Sequence, residues 1–324
     1  MSQNRILTLM SDFGLSDVYV GVMKGAIACL SDGVTVIDIT HQIPPQNIAA
    51  ARFCLMNAYV YFPKGTVHVA VVDPGVGSSR RAIAIEFDRG FLVGPDNGLF
   101  SGVLSQSRAV AAVELTNRDY WRTPNPATTF HGRDIFAPVG AHLASGVSLL
   151  ALGREIDMTC LVQLNLPGLT FTDSEIVGCI QYIDSFGNLI TNIPGSYVKG
   201  KNWAAIIDDL TIPGGETYSN SAVGSALALV GSHGWVEIAV NCGNAAIQLK
   251  QDLGARGERI TQYQLMKLAQ GRVSKNTIGS AVRNELNGVQ FSTLAAIIEI
   301  LESHLDRQIT ITELIEVERD TLDE

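Results

Sequence analysis

The sequence predicts an α/β protein with a largely parallel sheet, continued by a small antiparallel β-domain or barrel and a helical C-terminal extension. Three observations carry this. Residues 1–165 alternate short Val- and Ile-rich runs with helical patterns, the texture of strands joined by crossover helices. Over residues 172–256 the apolar runs become short and closely spaced, separated by Gly, Asn and Pro, as in hairpin-linked sheets. Over residues 257–324 strand signals thin out and helical spacing takes over.

The elements follow in order. Residues 6–10 form a compact apolar strand, and a polar turn, Ser11-Asp12-Phe13-Gly14, leads to helical spacing over 18–30. Strands are predicted at 34–39, 67–72, 82–85 and 91–93, and helices at 49–59 and 135–144. Residues 164–169, with Pro167 and Gly168, read as a linker. The second segment offers strands at 175–183, 189–193, 204–207, 210–212, 226–230 and 236–240. In the tail, 261–270, 274–284 and 292–304 are helical patterns, with Ser274 and Ser292 placed as N-caps.

Composition narrows the function classes. With 46% hydrophobic and 17% charged residues, the 324-residue chain has the make-up of a globular protein and not of a disordered one. No apolar run approaches the roughly 18–20 residues that a membrane span needs, and the start MSQNRILTLMSDFG lacks signal-peptide order. A net charge of −9 argues against broad electrostatic binding of nucleic acid by the whole chain. The five cysteines, Cys29, Cys54, Cys160, Cys179 and Cys242, include no C-x-x-C. They read as reduced core or near-core thiols, which points to a cytoplasmic protein.

Ligands of parallel α/β sheets bind beyond the carboxyl ends of the strands, so polar clusters after strands are the candidates. Asp12 and Asp17, with Tyr19 close by, flank the first strand-to-helix turn. A carboxylate there suits two vicinal hydroxyls, as on a ribose; the alternative for Asp17 is an N-cap of the helix that follows. Asp73 ends a strand, Pro74, Gly75 and Gly77 force a close-approaching loop, and Arg80 closes it. His131 lies in Phe130-His131-Gly132-Arg133-Asp134, and an Asp, an Arg and a His on loops of one domain suffice to orient and activate a water. Asp184-Ser185-Phe186-Gly187-Asn188 reads as a hairpin turn, or as groups for an ammonium, a base and a carboxylate. A loop at 241–246 offers backbone amides of the kind that recognise a purine edge. No phosphate loop or dinucleotide fingerprint is present, and the histidine spacing offers no metal site.

In this order and spacing, the runs SDFGLSDVYVGVMKG, VIDITHQIPPQNI, VVDPGVGSSRRAI, VGPDNGLFS, TFHGRDIFAPVGAHLA, IDSFGNLITNI and VEIAVNCGNAA resemble the S-adenosylmethionine (SAM) hydrolases. These are also called SAM hydroxide adenosyltransferases and share a fold with the fluorinase and chlorinase enzymes. The match covers residues 1 to about 250. The resemblance implies a Rossmann-like N-terminal domain, a small β-barrel-like second domain and a homotrimer with SAM at subunit interfaces. It implies conversion of SAM and water to adenosine and L-methionine, with SAM as substrate and no cofactor. By the same resemblance, Asp73, Arg80 and His131 are the water-activating set, and Asp12 and Asp17 lie at the ribose. Asp184 and Asn188 fall on the methionine contacts, Phe186 lies near the adenine, and Ser232, Asn244 and Ala245 complete the substrate set. The halogenating branch lacks the Asp/Arg/His set, so its presence here favours hydroxide as nucleophile.

The relatives end near residue 256. Beyond it, residues 257–324 carry seven basic and eleven acidic residues, yet from Arg256 to Arg283 six are basic and one is acidic. The pattern resembles a helix-turn-helix module of the Cro/repressor type, with 262–269 as first helix and about 275–284 as recognition helix. A helical cap or oligomerisation module is the alternative to DNA binding. A function from another class, a SAM or adenosine sensor that controls such a tail, is separated from the enzyme by turnover.

Overall fold

The computed structural model describes residues 5–164, 166–172, 174–207 and 210–249. Seven strands build the main sheet: β1 (Ile6–Ser11), β2 (Thr35–Thr40), β3 (Thr66–Val71), β4 (Ala82–Phe87), β5 (Gly90–Pro95), β6 (Ala109–Glu114) and β7 (Arg154–Glu155). Their order is β2-β1-β3-β5-β4-β6-β7. The run β2-β1-β3-β5 is parallel, and β4, β6 and β7 extend it antiparallel. The change of direction is dictated locally. Only Asp88 and Arg89 separate β4 from β5, enough for a hairpin and far too few for a crossover.

β1 and β3 are buried along their whole length, which is why they read as continuous apolar runs. Their side chains alternate between two cores. Leu7, Leu9, Val67 and Val69 pack with Met23 and Ile27 of α1 (Tyr19–Leu30). Met10, Ala70 and Val72 face the other side, with Ala51 and Leu55 of α2 (Ile48–Ala58) and Val103 of the short α3 (Ser101–Leu104). Helix α4 (Ala137–Ala144) joins the first core and lies close to the sheet at Gly140, where a Cβ would come within 2.5 Å of Val69 Cγ2.

The second segment begins with two short paired strands, β8 (Thr170–Phe171) and β9 (Ile176–Val177). It continues through β10 (Ile180–Ile183), β11 (Leu189–Pro194), β12 (Ala204–Ile207), β13 (Leu210–Pro213), β14 (Ala226–Val230) and β15 (Trp235–Val240). The four-stranded sheet β10-β11-β15-β14 is antiparallel throughout. β10 and β14 flank it, and an isolated bridge from Gly214, just after β13, to Ala228 continues the pairing beyond β14; among the described residues this is a small antiparallel sheet, without the full closure of a barrel. It meets the α/β layer at α2, where Phe53 and Met56 share a cluster with Ile190 and Tyr182 stacks on Phe53 at 4.7 Å. Residues 206–211 and 242–249 fall in a second packing unit.

Cys29, Cys160 and Cys242 are exposed and Cys54 and Cys179 half-buried; all five are free thiols. That corrects the expectation of core positions for three of them: Cys29 lies on the solvent side of α1, and Cys160 and Cys242 lie in connections. Among the described residues no helix is long and apolar enough to cross a membrane. The expected tail helices, their Ser274 and Ser292 caps and the helix-turn-helix lie outside the described residues.

Candidate active site

The carboxyl ends of β1 and β3 deliver Asp12 and Asp73 to the same edge of the sheet. Behind Asp73 the chain turns twice, through Val76 N to Asp73 O (3.2 Å) and Ser78 N to Gly75 O (3.1 Å). Gly77 takes φ +79 and lies so near the 128 backbone that a Cβ would stand 2.7 Å from Thr128 O. This return brings Arg80 onto Asp73. Arg80 Nε donates to Asp73 Oδ1 at 2.9 Å and Oδ2 at 3.0 Å, and Nη2 donates to Oδ2 as well. The same Nη2 lies 2.9 Å from Nδ1 of His131. Arg80 also sits 5.2 Å from the Phe136 ring centre. The Asp73 and Arg80 side chains are only 5% and 10% exposed, so the pair acts in a medium where charge counts.

His131 stands at the entry of a π-helical turn, Gly132–Phe136, which runs into α4. Such turns recur where a helix must aim a side chain. The turn is pinned by Asp134, fully buried, which accepts from Arg122 Nε (2.5 Å), Arg133 Nε (2.7 Å) and Nη2 (2.8 Å) and Ala127 N (2.9 Å). Burial alone would raise the Asp134 pKa; the bonds from Arg133, Ala127 and Arg122 outweigh it and hold the carboxyl well below the usual range. For His131, burial and then the Arg80 charge push the pKa down, against smaller upward pulls from Asp73 and Asp134. A guanidinium only donates, so Nδ1 of His131 accepts and its proton resides on Nε2.

On the Asp12 side, Oδ2 accepts from Gln46 N at 2.8 Å, and Gln46 holds φ +64, a left-handed conformation for a residue with a Cβ. Phe13, Tyr19 and Phe130 form a mutual edge-to-face cluster at 5.4–5.9 Å between centroids, joining the Asp12 turn to the His131 segment. Asp17 is exposed and does not cap α1. The N-cap is Val18, in helical conformation and without a side-chain cap, so the capping alternative fails.

One polar network had no signal in the sequence. Ser11 Oγ is 2.7 Å from His41 Nδ1, His41 Nε2 is 3.2 Å from Asp38 Oδ1, and Lys24 Nζ is 2.6 Å from Asp38 Oδ2. Ser11 and His41 are buried, so this is not a nucleophilic triad but a brace. Ser11 Oγ also accepts from Phe13 N at 3.3 Å, and Gly14 N donates to His41 O at 2.8 Å. Likewise Asn97 Nδ2 donates to Val72 O at 2.8 Å and fixes the end of β3 just before Asp73.

The remaining candidates are not brought together: the Asp184–Asn188 turn and the turn holding Ser232 lie at opposite ends of the small sheet, and Asn244 and Ala245 lie outside it. Asp184 closes the β10–β11 hairpin as the turn reading requires: Oδ1 accepts from Phe186 N and Asn188 N, both at 2.9 Å, and Oδ2 accepts from Asn188 Nδ2 at 3.0 Å. Phe186 projects outward, 75% exposed. Ser232 is exposed in the β14–β15 turn, beside His233, whose Nε2 is 2.9 Å from Glu237 Oε2. Asn244 and Ala245 lie in the second packing unit, where Asn244 Oδ1 caps Ile247 N at 2.9 Å and Ala245 is buried.

An α/β layer with a carboxylate, guanidinium and imidazole bonded together at the strand ends, followed by a small β-sheet bearing a second polar turn, defines the class. The chain belongs to the SAM hydroxide adenosyltransferase family: residues 7–153 match its N-terminal domain and residues 178–258 its C-terminal domain. It is 39% identical over 241 residues to a protein named (R)-S-adenosyl-L-methionine hydrolase from Salinispora tropica, covering 74% of this chain and 92% of that one. A protein of the same name from Thermus thermophilus is 38% identical over 260 residues, 78% of this chain and 99% of that one. A fluorinase from Actinopolyspora mzabensis is more distant, at 27% over 291 residues, 78% and 97% of the two chains. The crystal structure of an uncharacterized conserved protein from Thermotoga maritima superposes with a TM-score of 0.70 at 33% identity, over 75% of this chain and 96% of that one.

Proposed function

We propose that the protein hydrolyses S-adenosyl-L-methionine to adenosine and L-methionine by direct attack of water on C5′ of the ribose. The observation that carries this reading is the Arg80 guanidinium held between Asp73 and His131, together with relatives named for that reaction. A sulfonium is already a good leaving group, so neither a covalent intermediate nor a cofactor is called for. What the protein supplies is an oriented, partly desolvated water in line with the C5′–S bond.

The bonding pattern assigns the parts. Asp73 fixes Arg80, Arg80 fixes the His131 tautomer, and the Nε2–H that results holds the nucleophile's oxygen. The Arg80 charge favours hydroxide over water as that oxygen loses its proton. Asp12 serves the ribose hydroxyls, with Asp17 and Tyr19 beside it. Asp184 and Asn188 take the methionine end and Phe186 lies near the adenine, with Ser232, Asn244 and Ala245 as further members of the substrate set. Retention of Asp73, Arg80 and His131 favours water over halide as nucleophile.

A homotrimer with shared active sites fits the exposed apolar residues near the candidate groups: Leu15 at 65%, Val18 at 71% and Phe186 at 75%. For residues 257–324 the proposal is the one their pattern suggests, a helix-turn-helix module that contacts DNA phosphates. Duplex binding by the full chain that weakens with salt would support it. A cytoplasmic location agrees with the free thiols.

The reading is tested by incubating the purified protein with SAM and separating the products. Adenosine and methionine in equal amounts are expected, with no 5′-halo-5′-deoxyadenosine when chloride or fluoride is added. Asp73→Asn and His131→Ala are expected to lose about 10²–10⁴-fold in kcat while still binding SAM. Wild-type rates in either variant remove that residue from the mechanism.

A further inference from the structure

Arg80 and His131 also belong to the wall of a second space. A pocket of about 260 Å³ opens between the start of β4 and the end of β6, lined in part by Arg80, His131, Ala82, Glu114, Thr116 and Trp121. Thr116 is exposed, which places the mouth at solvent. The walls suit water. Glu114 is anchored by Arg154 at 2.5 Å, and Trp121 Nε1 is buried with no hydrogen-bond partner among the described residues, a donor that a water would satisfy. Liquid water occupies about 30 Å³ per molecule, so the pocket has room for several.

Resting on the hydrolytic reading above, the stoichiometry gives this space a task. The O–C5′ bond forms, the C5′–S bond breaks with its electron pair going to sulfur, and a sulfonium cation becomes a neutral thioether. One proton of the attacking water is left over in every turnover. Nδ1 of His131 already accepts from Arg80, and both oxygens of Asp73 accept from Arg80 as well. Of these groups only Asp73 Oδ1, which accepts a single bond, keeps a free lone pair, so a proton taken up there must pass on to solvent before the next turnover. With SAM lying across the strand ends, a new water must also arrive by a way that the substrate does not fill.

We infer that the pocket is the hydration port of the active site: it delivers the nucleophilic water to His131 and Arg80, and it carries the released proton outward past Glu114. Glu114 is a relay on the port wall and touches no substrate. The port gives a role to a cleft that opens to solvent beside an otherwise buried ion pair.

The test uses the full chain with Thr116→Phe, which narrows the mouth, and Glu114→Gln, which keeps shape and removes the carboxylate. Thr116→Phe is expected to lower kcat about ten-fold, with KM for SAM within about two-fold. Glu114→Gln is expected to lower kcat, to change the solvent deuterium isotope effect, and to recover when imidazole or acetate is added as a small proton acceptor. If Thr116→Phe does not fold, Glu114→Gln decides alone. Wild-type kcat in the folded variants, or a Glu114→Gln defect that small buffers leave untouched, overturns the port. Absence of adenosine from the unaltered protein would instead overturn the hydrolytic reading on which the port rests.

Discussion

Arg80 Nη2 donates to Nδ1 of His131 across 2.9 Å while the same guanidinium grips Asp73. One side chain thereby sets both the position and the tautomer of the imidazole. Lysine has a charge there but no planar fork, so it cannot hold a carboxylate and an imidazole nitrogen together. Arg80→Lys is expected to lose about 10²-fold or more in kcat with little change in KM. Steady-state kinetics on SAM check this, and a pure KM effect would show that Arg80 binds rather than positions.

Much of this architecture could be read from the residues, and the exceptions have physical reasons. β1 and β3 announce themselves because parallel strands buried on both faces are apolar throughout. β6 gives no such signal: its AVAAVE run is half alanine, with little of the bulk that marks a strand. The four-residue α3 is too short to show a period. Asp17 looks like a cap because an acid before a helical pattern usually is one, but the chain enters α1 one residue later. Asp73 and Arg80 share a loop, so local sequence shows them as a pair. The Ser11–His41 brace joins residues 30 apart through a strand pairing that local pattern does not encode.

Burial and the Arg80 charge both push the His131 pKa down, so the imidazole is neutral at neutral pH. Acid would protonate Nδ1, which faces a guanidinium and would break the contact. Activity is therefore expected to rise with pH and level off, with an apparent pKa below the ordinary histidine value of about 6.5. Asp73 pulls that pKa upward, so the acid limb should move to still lower pH in Asp73→Asn. A kcat/KM profile measured on both proteins decides it, and a limb above that value contradicts the assignment.

Ser11 and His41 form a buried bond at the foot of the Asp12 turn. Ser11→Ala leaves His41 Nδ1 without its partner, which costs about 1–3 kcal/mol. Because Asp12 follows directly, KM for SAM should rise more than kcat falls. Urea unfolding and kinetics on one preparation test both halves.

His68 is buried in β3, its Nδ1 2.8 Å from Thr8 Oγ1. Burial, helped by the Arg89 charge, pushes its pKa from the ordinary histidine value down to about 4. The unfolded chain thus binds the extra proton first as pH falls. The contribution is fully present above about pH 6.5 and is lost progressively down to about pH 4, a total of about 3 kcal/mol. The stability difference between the wild-type protein and His68→Gln, followed by denaturant titration across that window, should shrink accordingly. A pH-independent difference would show that His68 titrates normally.

Direct attack of water on C5′ leaves its mark when SAM is hydrolysed in ¹⁸O-water. Adenosine with ¹⁸O in its 5′-hydroxyl is expected, released together with unlabelled methionine. SAM that binds tightly yet stays intact would contradict it, and would mark the protein as a sensor.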